Sequence, residues 1–291
     1  MIGRSDPYDY QVIRRKNAGM STIVIDETNC THCSTCATIC PSGIIEETDS
    51  IPSIRPENEG SCIACGQCEA TCPTGALKVQ DPDGQPSALP AGRPAMTPGA
   101  LGLYLQSRRS VRHFKPEPVP RETIEAVMEI VRYAPSGANL QPVQYIIITD
   151  PAEVKRLAGV TIEWIRDEIA ADSPLSRGLP LQHLVDAWEQ GSDPICRGAP
   201  HLVIAHTPAG NSSAPVDAII GLTHFDVTAP AFGVGACWAG FLTIGAMASE
   251  KVKQALAIPE GRVYQFALFF GYPKFTSHSI PSRKPARIEW R

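Results

Sequence analysis

The sequence predicts an α+β protein in which a small cysteine-rich domain precedes a larger domain of mixed helices and strands. Eight of the ten cysteines fall between residues 30 and 72, in two segments with the same spacing. A proline-rich stretch follows, and beyond it helical and strand-like apolar patterns alternate. We therefore divide the chain into a flexible lead-in (1–20), the cysteine-rich domain (21–80), a linker (81–99) and the larger domain (100–291).

Composition and charge narrow the class of protein. The 291 residues suffice for two domains, and a hydrophobic fraction of 43% allows a sizeable core. The apolar runs are far shorter than the roughly 18–20 residues of a membrane helix, so we expect a cytoplasmic protein with neither a membrane span nor a secretory signal. The formal charge of −4 gives no indication of a nucleic-acid partner. Residues 21–80 carry eight Asp and Glu against Arg55 and Lys78, which suits a basic redox partner or a solvated face.

The two cysteine segments repeat one motif. Residues 30–41 and 62–73 both read Cys-x2-Cys-x2-Cys-x3-Cys-Pro, the run that ligates [4Fe–4S] clusters in bacterial ferredoxins, where the fourth cysteine serves the other cluster. We therefore predict a ferredoxin-like domain with two [4Fe–4S] clusters and crossed ligation. The first cluster is expected to use Cys30, Cys33, Cys36 and Cys72, and the second to use Cys62, Cys65, Cys68 and Cys40.

Other interpretations of these side chains are weaker. Zinc would favour two separated pairs of ligands over a triplet and a single cysteine. His32, beside Cys33, is expected to be an exposed loop residue because both ligand sets are already complete. Cys196 and Cys237 stand alone, so we interpret them as buried and inert thiols.

The segments after the cysteine-rich domain differ in periodicity. Prolines at every fourth residue from Pro82 to Pro98 predict an extended, semi-rigid linker. The larger domain is predicted to contain helices over 121–134, 216–232 and 249–257, and strands over 145–149, 202–206 and 263–270. The helix over 216–232 is apolar on most sides and should be central and buried.

Four segments of the larger domain match, in order, the motifs of a known family. The first is the basic run Arg108–Phe114, whose guanidinium groups suit a phosphate. The second is the turn Pro135–Pro142, the third is the glycine-rich stretch Gly233–Gly240, and the fourth is Gly271–Pro273 with a basic segment at Arg283. With these motifs, the larger domain resembles the FMN-dependent nitroreductases.

The resemblance implies an α+β flavin domain that forms a homodimer around two FMN sites. It implies that the FMN phosphate and ribityl end are held by Arg108, Ser110, Arg112 and Arg283, with Arg109 contributing through its backbone or at the periphery. The ring and ribityl hydroxyls would be contacted by Pro135, Ser136, Gly137, Asn139 and Gln141, a turn that usually comes from the partner subunit in this family. The backbone of Ala239 and Gly240 would approach the ring.

No side chain is assigned a catalytic role, because the flavin carries the organic chemistry. Trp238 is interpreted as a packing residue beside the ring. Many relatives have an acidic residue where Ala239 stands, so the electron donor stays open between a ferredoxin and NAD(P)H. Four histidines of the larger domain lack ligand spacing and are expected in core or surface roles, namely His183, His201, His206 and His224.

Together these features predict an iron–sulfur flavoprotein oxidoreductase. Electrons from a ferredoxin-type donor would pass through the two clusters to FMN, which reduces a small electron-poor organic molecule such as a nitro compound or a quinone. Two alternatives stay open at this point. FMN could oxidise a metabolite while the clusters export electrons, or the chain could be a non-catalytic electron-transfer subunit of a larger enzyme.

Overall fold

The computed structural model describes residues 22–48, 50–80 and 96–291. The predicted lead-in, 1–20, and the predicted linker up to residue 95 lie outside the described residues. The chain divides into two compact units. Among the described residues, the first unit contains 22–80 together with Ser136–Gln141, and the second contains 96–135 and 142–291.

The first unit is built from two similar halves. Strand β1 (Thr22–Ile25) pairs antiparallel with β4 (Leu77–Gln80), and β2 (Ile45–Glu46) pairs with β3 (Ser53–Ile54). Each cysteine run leads into a five-residue helix, α1 (Thr35–Ile39) or α2 (Gln67–Thr71), and a 3₁₀ turn spans Pro56–Ser61. The buried residues of this unit form a small core that consists of Ile44, Ile45, Cys68 and Leu77.

A four-stranded antiparallel sheet forms the centre of the second unit. The strand order is β5-β6-β8-β7, with β5 at Gln144–Ile148, β6 at His201–Pro208, β7 at Gly235–Trp238 and β8 at Arg262–Gly271. Strands β6 and β8 pair along their length, from His201 opposite Phe270 to Pro208 opposite Arg262. All residues of β6 except the last are buried, so the sheet is covered on both faces.

Helices cover the two faces of this sheet. One apolar cluster packs around α5 (Pro151–Ala170), and the other packs around α4 (Arg121–Val131) and α8 (Ala214–Thr228). The remaining helices are α3 (Pro98–Ser107), α6 (Pro174–Gly178), α7 (Gln182–Glu189), α9 (Gly240–Ala248) and α10 (Glu250–Ala255). Short 3₁₀ turns lie at Gly137–Asn139 and Ala229–Phe232. Across the described part of the chain, no helix combines the length and apolar character needed to cross a bilayer.

The predicted central helix is present, and its buried residues explain its apolar sequence. Ala218, Leu222 and Phe225 of α8 are each at most 1% exposed. The α-helix ends at Thr228, earlier than predicted, and the chain continues as a 3₁₀ turn that contains Pro230. Proline has no backbone N–H to donate to the preceding turn, so the α-helical ladder stops there.

The predicted linker ends earlier than its proline pattern indicated. Helix α3 begins at Pro98, inside the predicted 81–99 range. The side-chain hydroxyl of Thr97 accepts a hydrogen bond from the backbone N–H of Ala100 at 3.2 Å. A threonine N-cap followed by proline at the first helical position is a strong start signal, because proline there forfeits no intrahelical hydrogen bond.

Candidate cluster and flavin sites

The eight cysteines of the first unit surround two cavities. One cavity is lined by Cys30, Cys33, Cys36 and Cys72. The other is lined by Cys40, Cys62, Cys65 and Cys68. Each cavity thus takes three cysteines from one run and the fourth from the other run, which is the grouping that crossed ligation predicts.

The backbone of the two runs explains why the cysteines converge. Ser34 and Gly66 precede the two short helices and both adopt positive φ angles, 57° and 69°. Cys40 and Cys72 end those helices with extended ψ angles of 114° and 116°. Both precede proline, whose ring disfavours the helical conformation in the residue before it. The fourth thiol of each run therefore leaves its own helix and reaches the other cavity.

The surroundings of the cysteines fit iron–sulfur clusters. The second cavity is walled by apolar side chains, among them Ile23, Ile44 and Val79. Burial raises the pKa of the Cys68 thiol to about 11, and metal binding has to displace that proton because the thiolate is the ligand. No group of three or more His, Cys, Asp or Glu in the described ranges is spaced for a single bare ion. Four thiols around an apolar cavity match the donor set of a [4Fe–4S] cube.

In the first unit, both basic side chains of residues 21–80 form ion pairs, whereas the acidic side chains outnumber them. Arg55 pairs with Glu46, and the Lys78 ammonium lies 3.2 Å from the Glu69 carboxylate. Glu69 also accepts a hydrogen bond from the backbone N–H of Val79 at 2.9 Å. Since both cations of residues 21–80 are engaged within the unit, the acidic residues that remain set the sign of its surface.

In the second unit, the basic run Arg108–Phe114 lies beside the last strands of the sheet. The Val111 N–H donates to the Ala236 carbonyl of β7 at 3.0 Å, and the Lys115 N–H donates to the Tyr272 carbonyl at 2.9 Å. Phe114 forms an isolated bridge with Pro273. The third motif, Gly233–Gly240, and the fourth, Gly271–Pro273, are thereby held against the basic run, which is the first motif.

Gly235 explains part of the glycine-rich motif. A Cβ added to Gly235 would overlap Val111 Cγ2 and lie 2.9 Å from Val111 Cβ and 3.0 Å from Pro273 Cγ. Any side chain at this position would therefore push the basic run away from β7. Glycine is required here by close backbone approach, since its φ is not positive.

Three arginines line a cavity of about 310 Å³ at the end of the basic run. They are Arg108 and Arg109 from the run and Arg283 from the C-terminal segment, together with the lining residues Leu105, Gln106, Ile280 and Pro281. Among the described residues, the buried Arg109 Nε has no hydrogen-bond partner. An unpartnered guanidinium nitrogen among three arginines fits a bound phosphate, which offers acceptor oxygens to forked donors. Arg109, expected to contribute through its backbone or at the periphery, thus lines the same cavity as Arg108 and Arg283.

Ser110 and Arg112 do not line this cavity within the described part of the chain. The Ser110 side chain contacts the Cys237 thiol, and Arg112 also acts on that thiol through its charge. Burial raises the pKa of Cys237, and Arg112 opposes the rise. Cys237 is buried, as expected.

Asp226 is a residue that the sequence analysis missed. It lies in α8 with 6% exposure, and the Arg108 guanidinium donates to its two carboxylate oxygens at 3.1 and 3.4 Å. The Trp238 side chain also hydrogen-bonds to it. Burial raises the pKa of the Asp226 carboxyl, and Arg108 opposes that rise. The available signal was a pair of acidic residues, Asp217 and Asp226, in an otherwise apolar helix, because a buried carboxylate needs a cation or hydrogen-bond donors.

Within the second unit, Ala239 and Gly240 lie where β7 passes into α9. The Ala239 N–H already donates to the Ala267 carbonyl at 3.0 Å, so it is not available to a ring. Gly240 is the first residue of α9, and apart from its chain neighbours and the backbone of its own helix no described atom lies within 4 Å of the position of a Cβ there. Open space at a helix start, where backbone N–H groups lack intrahelical partners, fits the close approach of a flavin.

The turn Ser136–Gln141 belongs to the first unit and is held by side-chain hydrogen bonds. The Ser136 hydroxyl accepts from the Gln141 N–H at 2.9 Å. The Asn139 side-chain amide donates to the carbonyls of Ile63 and Ala64 at 3.1 and 3.0 Å. Gly137 starts the 3₁₀ turn, and the preceding Pro135 lies in the second unit.

Sequence and structure comparisons agree with both halves of this description. A profile described as the nitroreductase family matches residues 105–272, and two profiles described as a 4Fe-4S dicluster domain match residues 29–77 and 5–44. A solved nitroreductase with bound FMN from Desulfitobacterium hafniense DCB-2 has the same fold, with a TM-score of 0.52, 21% identity, and coverage of 67% of this chain and 99% of that chain.

Two curated relatives show different extents of similarity. The nitroreductase NfnB of Mycolicibacterium smegmatis is 31% identical over 91 residues, which are 31% of this chain and 39% of that protein. The 5,6-dimethylbenzimidazole synthase of Rhodospirillum rubrum is 26% identical over 203 residues, which are 66% of this chain and 89% of that protein. The family profile itself spans more than half of the chain. The chain therefore belongs to the nitroreductase family, as an FMN-dependent oxidoreductase that carries an N-terminal ferredoxin-type domain for two [4Fe–4S] clusters.

Proposed function

We propose that the protein takes electrons from a ferredoxin-type donor and uses them to reduce an electron-poor organic substrate, such as a nitro compound or a quinone. The observation that carries this proposal is the presence, in one chain, of two four-cysteine cavities and a nitroreductase-family domain. Iron–sulfur clusters exchange single electrons, and FMN accepts them and can deliver hydride to an organic molecule. The first unit is then an electron relay for the second.

The residues proposed to hold FMN divide into two groups. Arg108, Arg109 and Arg283 line the arginine cavity and are proposed to bind the phosphate. Ser110 and Arg112 follow in the same run and are proposed to help hold the phosphate and ribityl end. Gly240 leaves room for the ring, and Ala239 fixes the helix start through its bond to β8. Ser136, Gly137, Asn139 and Gln141 form the turn proposed to contact the ring, with Pro135 before it.

We also propose a homodimer formed through the second unit, as is typical of the family. Large apolar side chains are exposed on two of its helices, including Leu103 of α3 at 61% and Val216 of α8 at 58%. Formation of a homodimer through these helices would remove such apolar side chains from water. A cytoplasmic, reducing location is proposed as well, because the eight thiols have to stay free to receive iron.

The substrate is proposed to be small and electron-poor. NfnB is named a nitroreductase, and Ala239 provides no acidic side chain that would repel an anionic acceptor at this position. The flavin supplies the electron or hydride transfer to such an acceptor, which agrees with a candidate site in which no side chain is assigned a catalytic role.

An anaerobic reductive titration tests the proposed direction of electron flow. Iron and flavin are quantified, and visible and EPR spectra are followed while reduced ferredoxin or NADPH is added. We expect about eight irons and one FMN per chain, with ferredoxin reducing the clusters before the flavin bleaches. Bleaching of FMN by NADPH ahead of the clusters would instead make the first unit an electron exit, as in the metabolite-oxidising alternative.

A turnover measurement distinguishes the proposed enzyme from the alternative in which the chain is a non-catalytic electron-transfer subunit. The same protein, reduced and then mixed with a nitroaromatic compound or a quinone, should be reoxidised with loss of the acceptor. A homodimer whose reduced flavin reacts with no added acceptor would support the subunit alternative and contradict the proposal.

A further inference from the structure

Two threonine hydroxyls lie against sulfur atoms of the first cavity, the one lined by Cys30, Cys33, Cys36 and Cys72. The Thr35 Oγ1 atom is 3.3 Å from the Cys33 sulfur, and the Thr74 Oγ1 atom is 3.7 Å from the Cys72 sulfur. A thiolate that binds iron carries no proton, so each hydroxyl is the donor when a cluster is held. Two of the four expected ligands of the first cluster thus accept a side-chain hydrogen bond.

The two cysteine runs differ at the positions of these threonines. Thr35 comes two residues after the second cysteine of its run, and the matching residue of the other run is Gln67. Thr74 comes two residues after the fourth cysteine of its run, and the matching residue is Ser42. Within the described part of the first unit, the side-chain hydrogen bonds to cysteine sulfur are the two at the first cavity. The duplication of the cysteine motif therefore does not extend to the donors around it.

The second cavity is enclosed mainly by large aliphatic side chains. The first cavity has two of these, Ile25 and Leu77. Cys68 is buried at the second cavity, whereas Cys33 is exposed at the first. The large aliphatic residues that line the second cavity are Ile23, Ile44, Ile45, Ile54, Ile63 and Val79.

These differences bear on how easily each cluster is reduced. Reduction adds one negative charge to a cluster and its thiolates, so hydrogen bonds donated to the sulfurs favour the reduced state. An apolar enclosure has the opposite effect, because charge is costly to bury. The hydroxyls at the first cavity and the aliphatic wall of the second therefore shift the two reduction potentials apart in the same sense.

We propose that Thr35 and Thr74 are positioning residues that act through the sulfurs of Cys33 and Cys72 and make the first cluster easier to reduce than the second. The ferredoxin-type unit then accepts its two electrons at two separate potentials, and only a more strongly reducing donor fills the second cluster. In each step the one-electron donor is oxidised and one cluster is reduced, with no bond made or broken. The inference concerns this unit alone and holds for either direction of electron flow.

EPR-monitored potentiometry of the full holoprotein tests the inference, with iron quantified in every variant. The unaltered protein should show two separate one-electron midpoints. Thr35→Val removes the hydroxyl and should lower the higher midpoint by about a tenfold change in the reduction equilibrium, which is about 59 mV for one electron. Thr74→Val should act in the same direction with a smaller effect, because its contact is longer. Thr35→Ser keeps a hydroxyl and should restore the original midpoint.

The other cysteine run supplies matched controls. Gln67→Val and Ser42→Ala alter the corresponding positions and should leave the higher midpoint in place. Gln67→Thr gives the second run the residue found in the first and should raise the lower midpoint, by up to about a tenfold change in its equilibrium.

Two results would overturn the inference. One is a single common midpoint for both clusters, and the other is a higher midpoint that stays in place in both valine variants. If those variants lose iron, Gln67→Thr decides the matter. A raised lower midpoint supports the role of the hydroxyl, and an unaltered one contradicts it.

Discussion

At the scale of single residues, the Arg108–Asp226 pair gives the proposed phosphate site a fixed framework. The Asp226 side chain is 9% exposed and the Arg108 side chain is 25% exposed, so the pair is largely withdrawn from water. A buried carboxylate with a charged donor is held in one geometry, and removing one partner leaves the other uncompensated. Arg108 is thereby oriented before a ligand binds.

A double-mutant cycle measures this coupling. We expect Arg108→Ala and Asp226→Asn to be coupled by about 1.5–3 kcal/mol in the free energy of unfolding of the FMN-free protein, the range for hydrogen bonds to charged groups. Urea denaturation of the two single variants and the double variant provides the value.

The control cycle uses Arg166 and Glu189, whose ion pair is 44% and 59% exposed. An exposed pair of this kind should show a coupling of only about 0–1 kcal/mol. Equal couplings in the two cycles would mean that burial adds nothing at Asp226.

Arg283 provides a second test at this scale, because it reaches the cavity from the C-terminal segment. Arg283→Ala should weaken FMN binding by about 1.5–3 kcal/mol, through loss of charged hydrogen bonds to phosphate. FMN titration of the flavin-free protein by fluorescence gives the affinity. Arg287→Ala, an exposed change in the same segment, should leave it unaltered, and equal losses in both variants would locate the phosphate elsewhere.

The residues of the site differ in how far the sequence could reveal them. The cysteine runs were recognisable because each places its ligands within eleven residues of one another. Asp226 is separated from Arg108 by 118 residues, so no local pattern links them. The bond from Asn139 to Ala64 spans 75 residues. Its acceptor is a backbone carbonyl, which every residue has, so the amino-acid types at these positions do not reveal it.

At the scale of elements, the apolar periodicity of the sequence correctly predicted those helices and strands whose packing in the structure agrees with it. Strands β5, β6 and β8 and helices α4, α8 and α10 lie within a few residues of their predicted ranges. Strand β7 was not predicted, because Gly235–Trp238 is short and glycine-containing. It is a strand because it pairs with β8 from Gly235 opposite Gly271 to Trp238 opposite Leu268. That long-range contact overrides the local preference.

Two glycines allow a matched test of the elements around the flavin. Gly235→Ala should destabilise the protein by about 1–3 kcal/mol, since the added Cβ overlaps Val111 and close-packed contacts resist extra volume. It should also weaken FMN binding, because the basic run is displaced from β7.

Gly240→Ala should behave differently. Its Cβ enters open space at the start of α9, and alanine is the better helix former by roughly 0.8–1 kcal/mol. The FMN-free protein should keep its stability, whereas FMN affinity should fall if the ring approaches this position. Thermal unfolding without FMN and FMN titration separate the two effects. Unchanged affinity would place the ring away from Gly240.

At the scale of the whole molecule, the two units differ in the sign of the charges at their candidate sites. In residues 21–80 both cations are engaged in ion pairs, so the remaining acidic side chains set the sign of the charge of this part. In the second unit, arginines are concentrated around the candidate phosphate cavity. Long-range attraction therefore favours a carrier with a basic face at the first unit and an anionic cofactor at the second.

The predicted crossed ligation would make each cluster depend on a cysteine from the other run, and this can be tested in the full chain. Cys40→Ala should disable the second cluster, because Cys40 lines the cavity of Cys62, Cys65 and Cys68. Cys72→Ala should disable the first cluster for the corresponding reason. EPR of the reduced variants identifies the cluster that remains, and iron analysis should show a loss of up to about four irons in each. Loss of the cluster belonging to the altered run itself would establish that each run ligates its own cube. FMN content is the internal control: it should stay unchanged in both variants, because the proposed phosphate residues belong to the other unit.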